Sequence, residues 1–187
     1  YYNDKEKALH MELQKGRPQD TTGRLAKEIR TYDLLDQLGI SYERIDHAPA
    51  MTMEDCQEID EALQATVCKN LFLCNRSGTK FYLLLICADK PFRTGDVSRQ
   101  LGSSRLSFCS DAQLMDKLGL VAGSVTPMAL YRESARDVVV AIDEDIFDMN
   151  MVCVHPCVAT ASLAISMEDL LKYIGRAGNE IKRVHIE

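Results

Sequence analysis

No stretch of this chain approaches the roughly 20 consecutive apolar residues of a membrane-spanning helix. The opening Tyr1-Tyr2-Asn3-Asp4-Lys5-Glu6-Lys7 is charged and does not read as a secretory leader. There is no G-x-S-x-G elbow, no H-E-x-x-H pair and no phosphate-binding P-loop, which removes the familiar sequence routes to serine hydrolases, zinc proteases and nucleoside triphosphatases. No Gly-rich loop joins a first strand to a helix, so a doubly wound nucleotide-binding fold is disfavoured. Internal repeats and low-complexity tracts are absent. Positive charge is short: 22 Lys and Arg stand against 28 Asp and Glu, for a net charge of −6. That balance argues against strong non-specific binding to a polyanion such as DNA.

What is present is the composition of a soluble globular protein, with 46% apolar and 27% charged residues in 187. This length buries a core without staples and is read as one domain over residues 21–187, preceded by a polar extension over residues 1–20 that Gly16 and Pro18 interrupt. The seven cysteines are odd in number, and Cys68, Cys74, Cys87 and Cys109 fall in apolar runs. They read as reduced, buried, small apolar residues, with the cytoplasm as the expected compartment.

Spacing and punctuation give the elements. Thr22 is expected to cap a helix over residues 22–38 that Gly39 ends, followed by a short strand over 40–45. His47-Ala48-Pro49-Ala50 reads as a turn, and Thr52 as the start of a second helix with Glu54 and Asp55 in its first turn. Two apolar strands over 67–74 and 80–87 flank the polar Asn75-Arg76-Ser77-Gly78-Thr79, a hairpin. Residues 81–86 are almost continuously apolar, as in a strand covered on both faces. A short helix over 96–101, a strand over 105–109 and a helix over 111–118 capped by Ser110 and stopped by Gly119 follow. Strands are then expected over 138–142, 151–154 and 162–165, a helix from Ser166 to about residue 174 that Gly175 ends, and a last strand over 181–186. Hairpins mixed with helices predict an α+β single domain with a central mixed, mainly antiparallel sheet flanked by helices.

A few residues carry chemistry. Lys69 lies in Val67-Cys68-Lys69-Asn70-Leu71-Phe72-Leu73. An ammonium among buried neighbours needs a partner or a task, whereas one at a strand edge simply reaches water; the sequence leaves both readings open. Asn70 would face away from it, because successive strand residues point to opposite sides. Gly119-Leu120-Val121-Ala122-Gly123-Ser124-Val125-Thr126-Pro127 is a loop in which Gly and Pro can fix backbone N–H groups against a ligand, or simply make a turn. Cys153-Val154-His155-Pro156-Cys157 has the residue types of metal ligands, but no second ligand pair accompanies it, so no metal and no cofactor is expected. His155 is equally readable as a neutral histidine satisfied inside the sheet. Lys90, Arg93, Arg99 and Arg105 give a local positive excess that suits either an ordinary solvated surface or a local basic face.

In order along the chain, His47-Ala48-Pro49 with Thr52, Cys68-Lys69-Asn70-Leu71-Phe72-Leu73, Leu101-Gly102 with Arg105-Leu106-Ser107-Phe108, Leu118-Gly119 through Gly123-Ser124-Val125-Thr126-Pro127, and His155-Pro156 leading to Ile165-Ser166-Met167-Glu168-Asp169-Leu170-Leu171 form a pattern. Over roughly residues 25 to 175 it resembles the free-standing prolyl-tRNA editing proteins, related to the YbaK proteins and to the editing insertion of bacterial prolyl-tRNA synthetases. The resemblance implies a trans-editing hydrolase that deacylates mischarged tRNA(Pro), with alanyl-tRNA(Pro) as substrate. The alternatives are a cysteinyl-tRNA(Pro) deacylase and a non-catalytic module that binds the tRNA 3′ end. Lys-Asn-Leu-Phe is similar to the alanine-specific branch. By the same resemblance, Lys69 is the pocket lysine, and Gly123 and His155 join it in catalysis. Thr52, Asn70, Ser124, Val125, Thr126 and Pro127 hold the substrate, with Val125 and Pro127 as a steric wall. The partners implied are the acceptor end of mischarged tRNA(Pro) and prolyl-tRNA synthetase. One position departs from the pattern: the family's His-Pro-x-x-Asn reads His155-Pro156-Cys157-Val158-Ala159 here, a methyl in place of an amide.

Overall fold

Where apolar residues run without interruption, the chain makes the centre of its sheet. The computed structural model describes residues 11–50 and 53–187. In chain order these form β1 (Gln14–Lys15), α1 (Ala26–Gln37), β2 (Glu43–Asp46), α2 (Met53–Leu63), β3 (Thr66–Cys74), β4 (Phe81–Cys87), α3 (Thr94–Gln100), β5 (Ser107–Phe108) and α4 (Asp111–Leu118). Two 3-10 turns, Pro127–Tyr131 and Glu133–Ala135, lead to β6 (Val139–Asp143), α5 (Glu144–Phe147), β7 (Met151–Val154), β8 (Ala161–Ser166), α6 (Met167–Ala177) and β9 (Ile181–Val184). The sheet order is β1-β2-β8-β7-β3-β4-β6-β9, with β5 attached to β3. The pairings β3–β7, β4–β6 and β6–β9 are parallel and the other five antiparallel, so the sheet is mixed and mainly antiparallel as expected.

All seven residues of β4 are buried, and they divide by parity. Phe81, Leu83, Leu85 and Cys87 join the larger core on one side, which α6 covers with Met167, Leu170, Tyr173 and Ile174. Tyr82, Leu84 and Ile86 join a smaller core on the other side with Val97, Leu101 and Leu106. This is the period of two that a strand buried on both faces requires. The β3–β4 hairpin turns on Asn75, whose side-chain oxygen accepts from the N–H groups of Thr79 and Lys80 at 2.9 and 3.0 Å. At α4 the expected boundaries hold: Ser110 and Gln113 form a reciprocal capping box, and Gly119 ends the helix at φ +64°.

Several expectations shift. Thr22 does not cap α1; its N–H turns to Asp20 at 2.9 Å, and the helix begins at Ala26 after Leu25, which offers no side-chain cap. The following strand is Glu43–Asp46 instead of 40–45. The strand over 105–109 shrinks to Ser107–Phe108, which pair with Cys74 and Leu73 of β3. Gly175 stays inside α6, which packs tightly enough to continue to Ala177 and stops at Gly178, φ +86°. The polar extension is tied down in its second half. Gln14 and Lys15 pair with Arg44 and Glu43, and Arg17 meets Asp33 at 2.7 Å. Residues 1–10 lie outside the described residues, and no described helix is long and apolar enough to cross a membrane.

Candidate functional site

The parallel neighbours β3 and β7 are in register only at Thr66 with Val152 and Val67 with Cys153. Lys69 and His155, each two residues further on, stand where the two strands part. Beyond that point β3 and β7 no longer pair with each other. Parity sends Lys69 to the side of Val67 and Leu71, and Asn70 to the side of Cys68 and Phe72. The sequence suggests that Lys69 sits among buried neighbours; in the structure it is exposed. The deeply buried part of β3 is Phe72–Cys74, and Lys69 belongs to the strand's open end. Its ammonium donates to the Lys90 carbonyl at 2.9 Å, which aims the side chain along the strand and leaves two further N–H donors. Asn70 donates weakly to the Cys68 carbonyl at 3.5 Å, while its side-chain oxygen is buried without a partner among the described residues.

His155 is half-buried. Its Nδ1 lies 2.9 Å from the Ala161 carbonyl, which can only accept, so Nδ1 carries the proton and Nε2 presents a lone pair. Burial pushes its pKa below the ordinary 6.5, which keeps the ring neutral near pH 7. The 123–127 loop is fixed to the same residue: the Thr126 hydroxyl donates to the His155 carbonyl at 2.7 Å. Gly123 adopts φ +88° with open space beside its Cα, so a ligand can approach its backbone. Ser124 is buried and turns its hydroxyl back to the Val121 carbonyl at 2.8 Å.

Of the two residues expected as a steric wall, Pro127 is buried and Val125 is half-buried against the larger core. A hollow of about 280 Å³ beside the loop is lined by Val121, Ser124, Ala159 and Thr160 together with Arg24 and Lys27 of the α1 end. Thr52 lies outside the described residues. No group of three or more His, Cys, Asp or Glu side chains is placed to hold a metal among the described residues.

Two features escape sequence reasoning. His47 is buried with its ring 6.3 Å from that of His155; Nδ1 meets the Ala48 carbonyl and Nε2 the Ser162 hydroxyl, both at 2.7 Å. Burial lowers its pKa as well, so a second neutral imidazole backs the first. The His-Ala-Pro turn was the visible signal, but nothing in it foretold burial. Beside it, Arg24 bridges Glu28 at 2.6 Å and Asp46 at 2.8 Å, and Asp46 also pairs with the buried Arg44. Burial alone would raise the Asp46 pKa, but the hydrogen bonds from Arg24 and Arg44 outweigh it and hold the carboxyl below its usual range. Alternation in Glu43-Arg44-Ile45-Asp46 puts Arg44 and Asp46 on one face, a signal available in the sequence.

Of the cations in the local positive excess, Lys90 is already engaged. Its ammonium reaches Asp145 at 2.7 Å and the fully buried Asp143 at 3.0 Å. Arg93, Arg99 and Arg105 are exposed, and near them Phe108 is 62% exposed with its ring edge-on to Phe92 at 5.6 Å.

With this geometry in hand, comparison with known proteins is decisive. Residues 47–173 match the model of the aminoacyl-tRNA editing domain. The chain belongs to that family. It is 32% identical over 152 residues to the prolyl-tRNA editing protein ProX of Acetoanaerobium sticklandii, covering 81% of this chain and 93% of that one. It is 30% identical to the prolyl-tRNA synthetase associated domain-containing protein 1 of Danio rerio, covering 80% and 81%. In fold it is similar to a crystal structure of a candidate trans-editing enzyme for prolyl tRNA synthetase, with a TM-score of 0.66 at 17% identity over 86% of this chain and 98% of that one. The aminoacyl-tRNA editing match runs from His47 to Tyr173, so it spans the buried histidine, the open end of β3, the loop and His155.

Proposed function

We propose that the protein is an aminoacyl-tRNA deacylase acting in trans on mischarged tRNA(Pro), with alanine as the amino acid removed. One observation carries the reading: the Thr126 hydroxyl ties the 123–127 loop to His155, whose ring is neutral, and Lys69 and His155 each follow by two residues the last β3–β7 pair, Val67 with Cys153. Family membership supports the reaction class, and the Lys69-Asn70-Leu71-Phe72 run supports alanine over cysteine.

The scissile bond is the ester between the amino acid and the terminal ribose. A water oxygen bonds to the carbonyl carbon, negative charge gathers on the carbonyl oxygen, and the ester C–O bond then breaks. The proton lost by the water ends on the ribose oxygen, giving free amino acid and tRNA. The Gly123 backbone and the remaining N–H donors of Lys69 are assigned to the oxyanion; one well-aimed donor is worth about 3 kcal/mol of barrier. The His155 Nε2 lone pair accepts from the attacking water, and the neighbouring ribose hydroxyl relays the proton. Asn70, on the opposite face of β3, contributes through its backbone. The acceptor stem runs over Arg93, Arg99 and Arg105, where the exposed Phe108 offers a stacking face. Prolyl-tRNA synthetase is assigned as a second partner. The seven free cysteines suit the reducing cytoplasm.

Deacylation of alanyl-, cysteinyl- and prolyl-tRNA(Pro) by the purified protein tests this. Alanine should be released fastest and proline slowest, and Lys69→Ala should abolish release without lowering the melting temperature. Prolyl-tRNA hydrolysed as fast as alanyl-tRNA would overturn the assignment. Ala159, where the family pattern has Asn, favours one second reading, a tRNA 3′-end binder without turnover. Tight tRNA binding with no ester loss would establish it.

A further inference from the structure

A cavity of about 460 Å³ lies between α1 and the Leu118–Arg132 stretch. Its floor is apolar, made by Leu34, Leu118, Leu120 and Met128. Its rim carries Lys27, Arg30 and Arg132, and no Asp or Glu lines it. In a chain with a net charge of −6, three cations around one hollow without a carboxylate are uncompensated. Arg30 and Arg132 have no ion-pair partner among the described residues, and Lys27 gives one hydrogen bond, to the Gly119 carbonyl at 3.3 Å. The wall adds a buried Tyr131 hydroxyl with no hydrogen-bond partner among the described residues. Cys157, a non-glycine residue at φ +64°, sits where this cavity meets the smaller hollow beside Ser124 and Ala159. Such backbone conformations concentrate at ligand sites.

The chemistry asks for an anion with an apolar, flat body. A bare phosphate would leave the floor and most of the volume unused, whereas an acyl chain would not call for three cations and a hydroxyl. We propose that this cavity is a nucleotide site, with the phosphate held by Lys27, Arg30 and Arg132 and the base on the apolar floor beside Tyr131. The nucleotide is either a free nucleoside monophosphate or a nucleotide of the RNA acceptor end, and only the second source rests on the editing reading above. Both Lys27 and Arg132 lie against the loop: Lys27 donates to the Gly119 carbonyl, and a Cβ on Gly119 would lie 2.6 Å from the Arg132 guanidinium. A phosphate that recruits them therefore acts on the same loop that reaches His155.

The test is calorimetric titration of the full chain with AMP at low salt, beside competition for a tRNA(Pro) acceptor-stem minihelix. Saturable AMP binding is expected, weakened about tenfold or more by the double variant Arg30→Ala/Arg132→Ala, since each charge-assisted contact contributes at that scale. Both arginines are exposed, so the variant's melting temperature should not move. If AMP displaces the minihelix and the variant weakens both, the nucleotide is the RNA's own; if minihelix affinity is untouched, the ligand is a free nucleotide. Absence of saturable AMP binding, indifference to the double variant, or equal displacement by inorganic phosphate would each overturn the proposal. Alanyl-tRNA(Pro) hydrolysis run in parallel separates the two readings: its absence with AMP binding intact sinks the editing function alone.

Discussion

β3 and β4 are paired residue for residue from Cys68 with Cys87 to Cys74 with Phe81, yet they lead different lives. β4 lies between two strands, has all seven residues buried, and carries only packing. β3 is buried at Phe72–Cys74 and opens at its other end, where its neighbour β7 leaves it after Val67. The same ladder is thus deeply buried at one end and open at the other. What decides is where the parallel neighbour stops, which is a property of the distant segment and not of the hairpin.

The sharpest way to break this contrast is to truncate each strand in turn. Leu84→Ala removes a fully buried side chain and should cost about 3 kcal/mol in urea denaturation. Lys69→Ala should cost under about 0.5 kcal/mol. Comparable losses would erase the distinction between the two ends. Next in size is Lys90→Ala, which strands the Asp143 carboxylate at 0% exposure and should cost about 3 kcal/mol. Asp143→Asn in the same chain should restore part of it. Because the Lys90 charge is already spent on Asp143 and Asp145, minihelix affinity should stay put, whereas Arg105→Ala should weaken it; the reverse pattern would relocate the RNA surface.

A smaller effect is expected at Gly119→Ala, about 1–2 kcal/mol from the left-handed backbone alone, with the Arg132 contact added to it. The smallest is a pH effect. His47 and His155 have folded pKa values pushed below the ordinary 6.5 by burial. The unfolded chain therefore binds protons first on acidification. Their contribution to stability is complete above about pH 6.5 and is lost as the pH falls through the lowered folded values. The melting temperature should drop between pH 7 and pH 5, and His47→Gln should flatten that slope; an identical slope would place the acid sensitivity elsewhere.

The hairpin, the all-buried β4, the Ser110 cap and the Gly119 stop were legible because each is a local rule: alternation, a turn residue, a capping box, a left-handed glycine. Gly175 misled for the opposite reason, since the packing of Tyr173 and Ile174 carries α6 through a residue that local propensity would end on. Lys69 read as buried because its sequence neighbours are apolar, whereas the structure leaves it exposed at the end of β3 away from the buried Phe72–Cys74. Lys90 looked free because its acceptors, Asp143 and Asp145, are more than fifty positions away. His47, Arg24 and the α1 cavity were missed on the same ground, being assembled from segments that meet only in three dimensions.

The register between Thr66 and Val152 also has a consequence for how the molecule comes into being. The β3–β4 hairpin can close as soon as its own residues leave the ribosome, but β7, which pairs with β3, is made more than sixty residues after the hairpin ends. Until then the hairpin presents an unsatisfied flank. The candidate site is therefore among the last features to mature during synthesis, since a nascent chain halted before Met151 lacks β7 and the His155 that follows it.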